Sequence, residues 1–311
     1  MSKEQPKVTI VGAGNVGATA AHILLLKDIC DVVLVDVAPG LPQGKALDLM
    51  HLRSLAKFQH TVCGSNDYAQ TAGSDVVVIT AGVARKPGMT REDLLGINSK
   101  IVRSVITSAL EYSPDAIFIL VTNPLDIMTN MAARISGLPK QRICGMGGVL
   151  DSARFAYSIA RATGADINSI DALTVGAHGE SMVCLPRFST VAGVPITELL
   201  DEDEVAQVCR DTVTGGAQVV AFLKTGSAFY APGASIARMV EAIIRDSGET
   251  MSVCAKLEGE YGIDDVFMCV PVRLGAAGVQ EVVELPLDEQ ELAQLRDSAA
   301  KIAAQVATLD L

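Results

Sequence analysis

No stretch of this sequence is apolar for long enough to cross a membrane, because charged or strongly polar residues interrupt every hydrophobic run well before about 18 residues. The first residues, Met1-Ser2-Lys3-Glu4-Gln5-Pro6-Lys7, lack the hydrophobic region of a targeting peptide, so a cytoplasmic location is expected. Positive charge is scarce. With 25 Lys and Arg against 36 Asp and Glu, the net charge is −11, and the pI is near 4.8. Both argue against a nucleic acid or an anionic membrane as partner. The seven cysteines form no C-x-x-C pair and have no histidine at ligand spacing. They read as reduced, mostly buried small side chains, and no metal site is expected. Repeats, low-complexity tracts and long linkers are also missing.

What is present is a core-rich globular chain, 49% hydrophobic and 20% charged. Its most informative stretch is four β-favouring residues, Val8 to Val11, running into Gly12-Ala13-Gly14-Asn15-Val16-Gly17. In such a turn the first glycine permits the tight bend, the second lets backbone approach a pyrophosphate, and the third lets the following helix press on the strand. The helix N-terminus adds free N–H groups and partial positive charge for phosphates. A second apolar run, Val32 to Val35, ends in Asp36, nineteen positions beyond Gly17. A carboxylate at that distance accepts both ribose hydroxyls of NAD and repels the 2′-phosphate of NADP. NAD is therefore the expected cofactor.

The fold expected is α/β: an N-terminal Rossmann doubly wound parallel sheet over residues 1–145, then an α+β catalytic domain over 146–311, each with its own core. Strands are predicted at Lys7 to Val11, Asp31 to Val35, Thr61 to Cys63, Val76 to Thr80, Ile117 to Val121 and Arg142 to Gly145. Runs such as Val76-Val77-Val78-Ile79 lack alternation, as parallel strands covered on both faces do. Beyond a helix from Leu150 to Thr163, a hairpin turn is predicted at Val191 to Pro195. Antiparallel strands are predicted at Met251 to Leu257, Val266 to Leu274 and Val279 to Leu285. A final helix opens on Asp288 with a carboxylate three positions on, at Glu291.

Ligands in such sheets bind beyond the carboxyl ends of the strands, which directs attention to four places. After Thr80, three cations (Arg85, Lys86 and Arg91) fall within seven positions with no acid among them, in a chain that is otherwise strongly acidic. Arginines there suit an anionic substrate that the global field would repel. After Val121 come Thr122, Asn123 and Pro124; the Asn123 amide suits a cofactor or substrate hydrogen bond, and Asn-Pro is also a common turn. Asp151 and Arg154, three apart on a predicted helix, share a face, either as a surface ion pair or as part of a site. His178 lies between glycines after an apolar run, whereas His22, His51 and His60 lie in or beside helical patterns. A histidine so placed reaches a ligand, and its reference pKa of about 6.5 suits proton transfer near neutrality.

Taken together, these motifs resemble the lactate and malate dehydrogenases over essentially the full length, in particular the lactate-dehydrogenase-like malate dehydrogenases. The resemblance rests on the Gly12 to Gly17 turn, Asp36, the Arg85 to Arg91 loop, Val121-Thr122-Asn123-Pro124, Leu150-Asp151-Ser152-Ala153-Arg154 and Gly176-Ala177-His178-Gly179-Glu180. It implies an NAD-dependent oxidoreductase with His178 as general acid/base and Asp151 holding the imidazole and raising its pKa. Arg154 would bind the C1 carboxylate and Arg91 would polarise the carbonyl. Gly12, Ala13, Gly14, Asn15, Val16, Gly17, Asp36, Asn98, Val121, Thr122 and Asn123 would bind NAD, with Asn123 also touching substrate. Arg85 would bind the second carboxylate of malate or oxaloacetate where lactate dehydrogenases carry a neutral glutamine. Two departures from the pattern are Glu180, where aspartate is usual, and Cys184, where proline is common. Homodimers or homotetramers are implied. The competing expectations are a lactate or other 2-hydroxy acid dehydrogenase and, from another class, a non-catalytic NAD-binding sensor.

Overall fold

The computed structural model describes residues 5–83 and 89–309; Arg85 lies outside the described residues, and of Arg91 only the backbone is described. The first half alternates short β-branched runs with helices. β1 (Lys7–Val11) leads through α1 (Asn15–Leu26) to β2 (Asp31–Val35). Helices α2 (Leu41–His51) and α3 (Arg53–Ala56) precede β3 (Val62–Ser65). Then come β4 (Val76–Ile79), α4 (Arg91–Tyr112), β5 (Ile117–Leu120), α5 (Leu125–Ser136) and β6 (Ile143–Gly145). The sheet order is β3-β2-β1-β4-β5-β6, with every neighbouring pair parallel. The order reverses between β1 and β4, the switch point at which such sheets bind ligands. All four residues of β4 are fully buried, as the unbroken apolar run requires.

The second half is built differently. α6 (Gly148–Thr163) is followed by β7 (Ile170–Asp171), β8 (Thr174–Gly176), β9 (Met182–Cys184), β10 (Thr190–Val191) and β11 (Val194–Pro195). Two helices, α7 (Glu202–Leu223) and α8 (Tyr230–Ile244), precede β12 (Glu249–Glu258), β13 (Asp264–Gly275), β14 (Gly278–Val282) and α9 (Glu289–Val306). β10 and β11 are joined by Ala192 and Gly193, both with positive φ, the backbone that a two-residue primed hairpin turn needs. α9 carries the expected capping box: the Asp288 carboxylate accepts from the Glu291 N–H, and the Glu291 carboxylate from the Asp288 N–H.

The first two strands coincide with those expected, and the others differ at one or both ends by one to three residues. The largest difference is instructive. β14 stops at Val282: the Val283 N–H still donates to the Pro271 carbonyl of β13 at 2.8 Å, and beyond that bond a side chain replaces the neighbouring strand as partner. The Tyr261 hydroxyl donates to the Val283 carbonyl at 3.2 Å and accepts from the Leu285 N–H at 3.0 Å.

The two halves share one sheet. Cys254 of β12 pairs with Gly145 of β6, so the path continues β6-β12-β13-β8-β9, with β14 on β13, to make eleven strands. They also share one core. A single cluster of buried apolar residues runs from Val8 to Val306, with a small satellite of Phe155, Ile159, Ile196 and Val208. The separate cores expected from chain length are thus merged, because the antiparallel strands extend the parallel sheet instead of packing apart from it. A buried amide strengthens the seam. Asn130 of α5 donates through Nδ2 to the Phe267 carbonyl at 3.0 Å and accepts through Oδ1 from the Phe267 N–H at 3.1 Å, as a strand neighbour of β13 would.

Candidate active site

The glycine turn lies at the carboxyl end of β1, and its three glycines meet different surroundings. A Cβ on Gly17 would collide with the carbonyl oxygen of Gly12, so only glycine lets α1 start this close to β1. Gly12 has φ +108°, and its N–H donates to the Val35 carbonyl at 2.7 Å. Gly14 is exposed with Asn15 at the head of α1, and a Cβ there would meet nothing within 4 Å. That open face, above free helix N–H groups, has the form in which a helix N-terminus can receive a phosphate group. Ala13 and Gly17 are buried beneath it and Val16 is half-buried. Asp36 follows β2, and its carboxylate ties the glycine turn to its own loop: Oδ2 accepts from the Ala13 N–H at 2.8 Å and Oδ1 from the Ala38 N–H at 2.9 Å. A carboxylate has about four acceptor positions, so two remain for a ribose diol.

Asn98, on α4, braces the next two loops. It is 1% exposed. Its Oδ1 accepts from the Val83 N–H at 2.8 Å, and its Nδ2 donates to the carbonyls of Val83 (3.2 Å) and Asn123 (2.7 Å). Both side-chain N–H groups are thus spent on holding the chain after β4 against the chain after β5. Thr122, buried, adds a hydroxyl bond to the Ala81 carbonyl at 2.6 Å. Val121 is half-buried and Asn123 exposed, with Asn123 Oδ1 accepting from the Leu125 N–H at 3.3 Å.

α6 starts directly after β6, which places Asp151 in its first turn and Arg154 one turn further on the same face. His178 arrives from the other direction, on the loop between β8 and β9. Its Nδ1 lies 2.8 Å from Asp151 Oδ2, while Asp151 Oδ1 accepts from Arg154 Nη1 at 3.1 Å. The Asp151 side chain is 2% exposed and that of His178 15%, so the histidine is the member of the pair that meets the cleft. An ionised carboxylate only accepts, so Nδ1 carries the proton and Nε2 is left as a free base in the neutral ring. Burial opposes charge on the imidazole. The Asp151 carboxylate outweighs it, Asp126 adds to the effect, Arg154 opposes it, and the pKa is raised. That is the direction the sequence led us to expect.

Two contributors were not anticipated. Asp126, in the first turn of α5, accepts the backbone N–H of His178 at 2.8 Å. Its sequence signal was an acid just inside a helix, which is an ordinary preference. Gly215 and Gly216 of α7 lie against the Arg154 side chain, leaving it room. Paired glycines inside a helix cost about 1 kcal/mol each relative to alanine, and such a pair was a readable hint of close packing.

Two hydrogen-bonded paths, Val83–Asn98–Asn123 and Asp126–His178–Asp151–Arg154, are joined through the chain from Asn123 to Asp126 and link the loops after β4 and β5 to those of the second half. A histidine with its carboxylate partner, an arginine and the glycine-rich turn lie along one edge of the sheet. Among the described residues no cluster of three His, Cys, Asp or Glu side chains is arranged to hold a metal, and no helix is long and apolar enough to cross a membrane.

Comparison with known proteins agrees with this arrangement. Residues 6–145 match the family model for the lactate/malate dehydrogenase NAD binding domain, and residues 148–309 that for the alpha/beta C-terminal domain. A malate dehydrogenase from Dehalococcoides mccartyi is 52% identical over 306 residues, covering 98% of this chain and 100% of that protein. The solved structure of malate dehydrogenase from Salinibacter ruber superimposes with a TM-score of 0.93 at 44% identity, covering 97% and 96% of the two chains. A lactate dehydrogenase from Cryptosporidium parvum, complexed with lactic acid and nicotinamide adenine dinucleotide, gives 0.94 at 36% identity, covering 99% of each.

Proposed function

The chain belongs to the lactate/malate dehydrogenase family, and from that premise we propose that it catalyses the reversible NAD-dependent oxidation of (S)-malate to oxaloacetate. The observation that carries this reading is the His178–Asp151–Arg154 chain at the edge that also holds the glycine cradle. NAD, when bound, accepts the hydride from malate C2 and returns it in the reverse direction. Gly12 to Gly17 hold its pyrophosphate and Asp36 its adenine-side ribose. Asn98 shapes the nicotinamide side with Val121, Thr122 and Asn123, and Asn123 also touches substrate. His178 Nε2 takes the hydroxyl proton in oxidation and gives it back in reduction. Asp151 fixes the tautomer and stabilises the imidazolium that forms. Arg154 has donors to spare after bonding Asp151, and these grip the C1 carboxylate. Arg91 polarises the carbonyl, and Arg85 binds the distal carboxylate. Residues 1–145 are read as the cofactor domain and 146–311 as the substrate domain, in a cytoplasmic homodimer or homotetramer.

The test is NADH oxidation followed by absorbance, with oxaloacetate and pyruvate at matched concentrations, for the unmodified protein and Arg85→Gln. Removing one member of a buried charged pair costs about 2 to 5 kcal/mol, so a preference of roughly 30-fold to several thousandfold for oxaloacetate is expected to shrink in the variant. A preference for pyruvate in the unmodified protein would overturn the substrate but not the cofactor. His178→Asn is expected to lower turnover by roughly 10² or more while NADH still binds; near-normal turnover in that variant refutes the acid/base assignment.

A further inference from the structure

Among the described residues, Asp126 is the buried carboxylic acid that the proposed reaction leaves without a task. It is 5% exposed. Oδ2 accepts the His178 N–H, but Oδ1 is buried with no hydrogen-bond partner, alone in this among the side-chain oxygens and nitrogens of the described residues. The Cys254 thiol of β12 lies against the carboxylate, and a thiol is a weak donor. If the only task here were to hold a backbone N–H, a neutral amide would do it without a desolvated charge. An under-bonded carboxylate is costly unless a positive group nearby balances it. The group in place to do so is His178 when protonated.

We propose that Asp126 is a second positioning residue for His178: its carboxylate fixes the histidine backbone through Oδ2 and, by its charge, favours the protonated imidazole from α5 as Asp151 does from α6. The inference rests on His178 being the acid/base of the proposed reaction. The other ionisable groups facing the pair are Asp151 and Arg154 of α6, Cys254 of β12 and Cys269 of β13. Glu180 lies two positions further along the histidine's own loop. α7 sets Gly215 and Gly216 against the Arg154 side chain, and α9 offers the neighbouring Ala177 N–H the Ser298 hydroxyl at 2.8 Å, all of them uncharged. Burial pushes the Asp126 carboxyl up to about 6, while the His178 charge and N–H pull it back. Each group's charge thus favours the charged form of the other.

The chain has four histidines, few enough to follow each imidazole by proton NMR in the whole protein. The resonance missing from His178→Asn identifies His178. In Asp126→Asn an acceptor for the His178 N–H is retained and the charge removed. The His178 midpoint is then expected to fall by about one unit. Reduction needs the protonated ring, so the alkaline limb of kcat/KM for oxaloacetate should move down by the same amount, with NADH affinity, read by its fluorescence, unchanged. An unmoved midpoint in a variant that still binds NADH overturns the proposal, because a backbone-holding role alone leaves it where it was. Should Asp126→Asn not fold, Asp126→Ser, a smaller neutral acceptor, also removes the charge and is expected to lower the His178 midpoint likewise; an unmoved midpoint there is equally fatal. A midpoint that moves while the kinetic limb does not would uphold Asp126 and refute His178 as the group behind the limb.

Discussion

Gly14 and Gly17 are three positions apart in one turn and answer to different constraints. Because a Cβ at 17 meets the carbonyl of Gly12, Gly17→Ala should destabilise the fold by about 1–3 kcal/mol, visible as a lowered urea midpoint. A Cβ at 14 meets nothing within 4 Å, so Gly14→Ala should leave that midpoint nearly unchanged. It should instead weaken NADH roughly tenfold, about 1.4 kcal/mol, by filling the space that the pyrophosphate needs. Equal stability losses in the two variants would contradict the division. At this scale the legible residues were those whose chemistry demands a fixed type at a fixed spacing: the glycines, Asp36, Asp151 with Arg154, and His178. Asp126 was hidden because its significance lies in a contact 52 positions away, and nothing local distinguishes it from any acid in a helix's first turn. The bracing bonds of Asn98 were hidden for the same reason, since their partners come from two different loops.

At the scale of elements, strands covered on both faces and capped helices were readable, and α9 shows why. Asp288 and Glu291 close a reciprocal cap, a local arrangement that a short sequence window contains in full. Asp288→Ala should cost about 1 kcal/mol and lower the melting temperature by about 2 °C, with NADH affinity unchanged. An unaltered melting temperature would mean that the cap contributes nothing to the folded state. Boundaries were less legible wherever a distant side chain ends an element, as Tyr261 does for β14, or where a helix accepts unfavourable residues to make room, as α7 does at Gly215 and Gly216.

For the whole molecule, alternating patterns revealed the parallel sheet and its antiparallel successor but not their fusion, which depends on a pairing between residues 109 positions apart, Gly145 and Cys254. Since one apolar cluster spans both halves, unfolding in urea should appear as one transition, with loss of helical circular dichroism coinciding with loss of NADH binding. Two separated transitions would show that the halves are energetically independent. The seam between β6 and β12 also bears on how such a chain can be divided. Cutting after residue 145 would leave each piece with a main-chain edge stripped of its neighbour, the kind of surface along which chains recruit one another into aggregates. The proposed boundary between cofactor and substrate domains is therefore a poor place to break the polypeptide, and the chain is better regarded as one body.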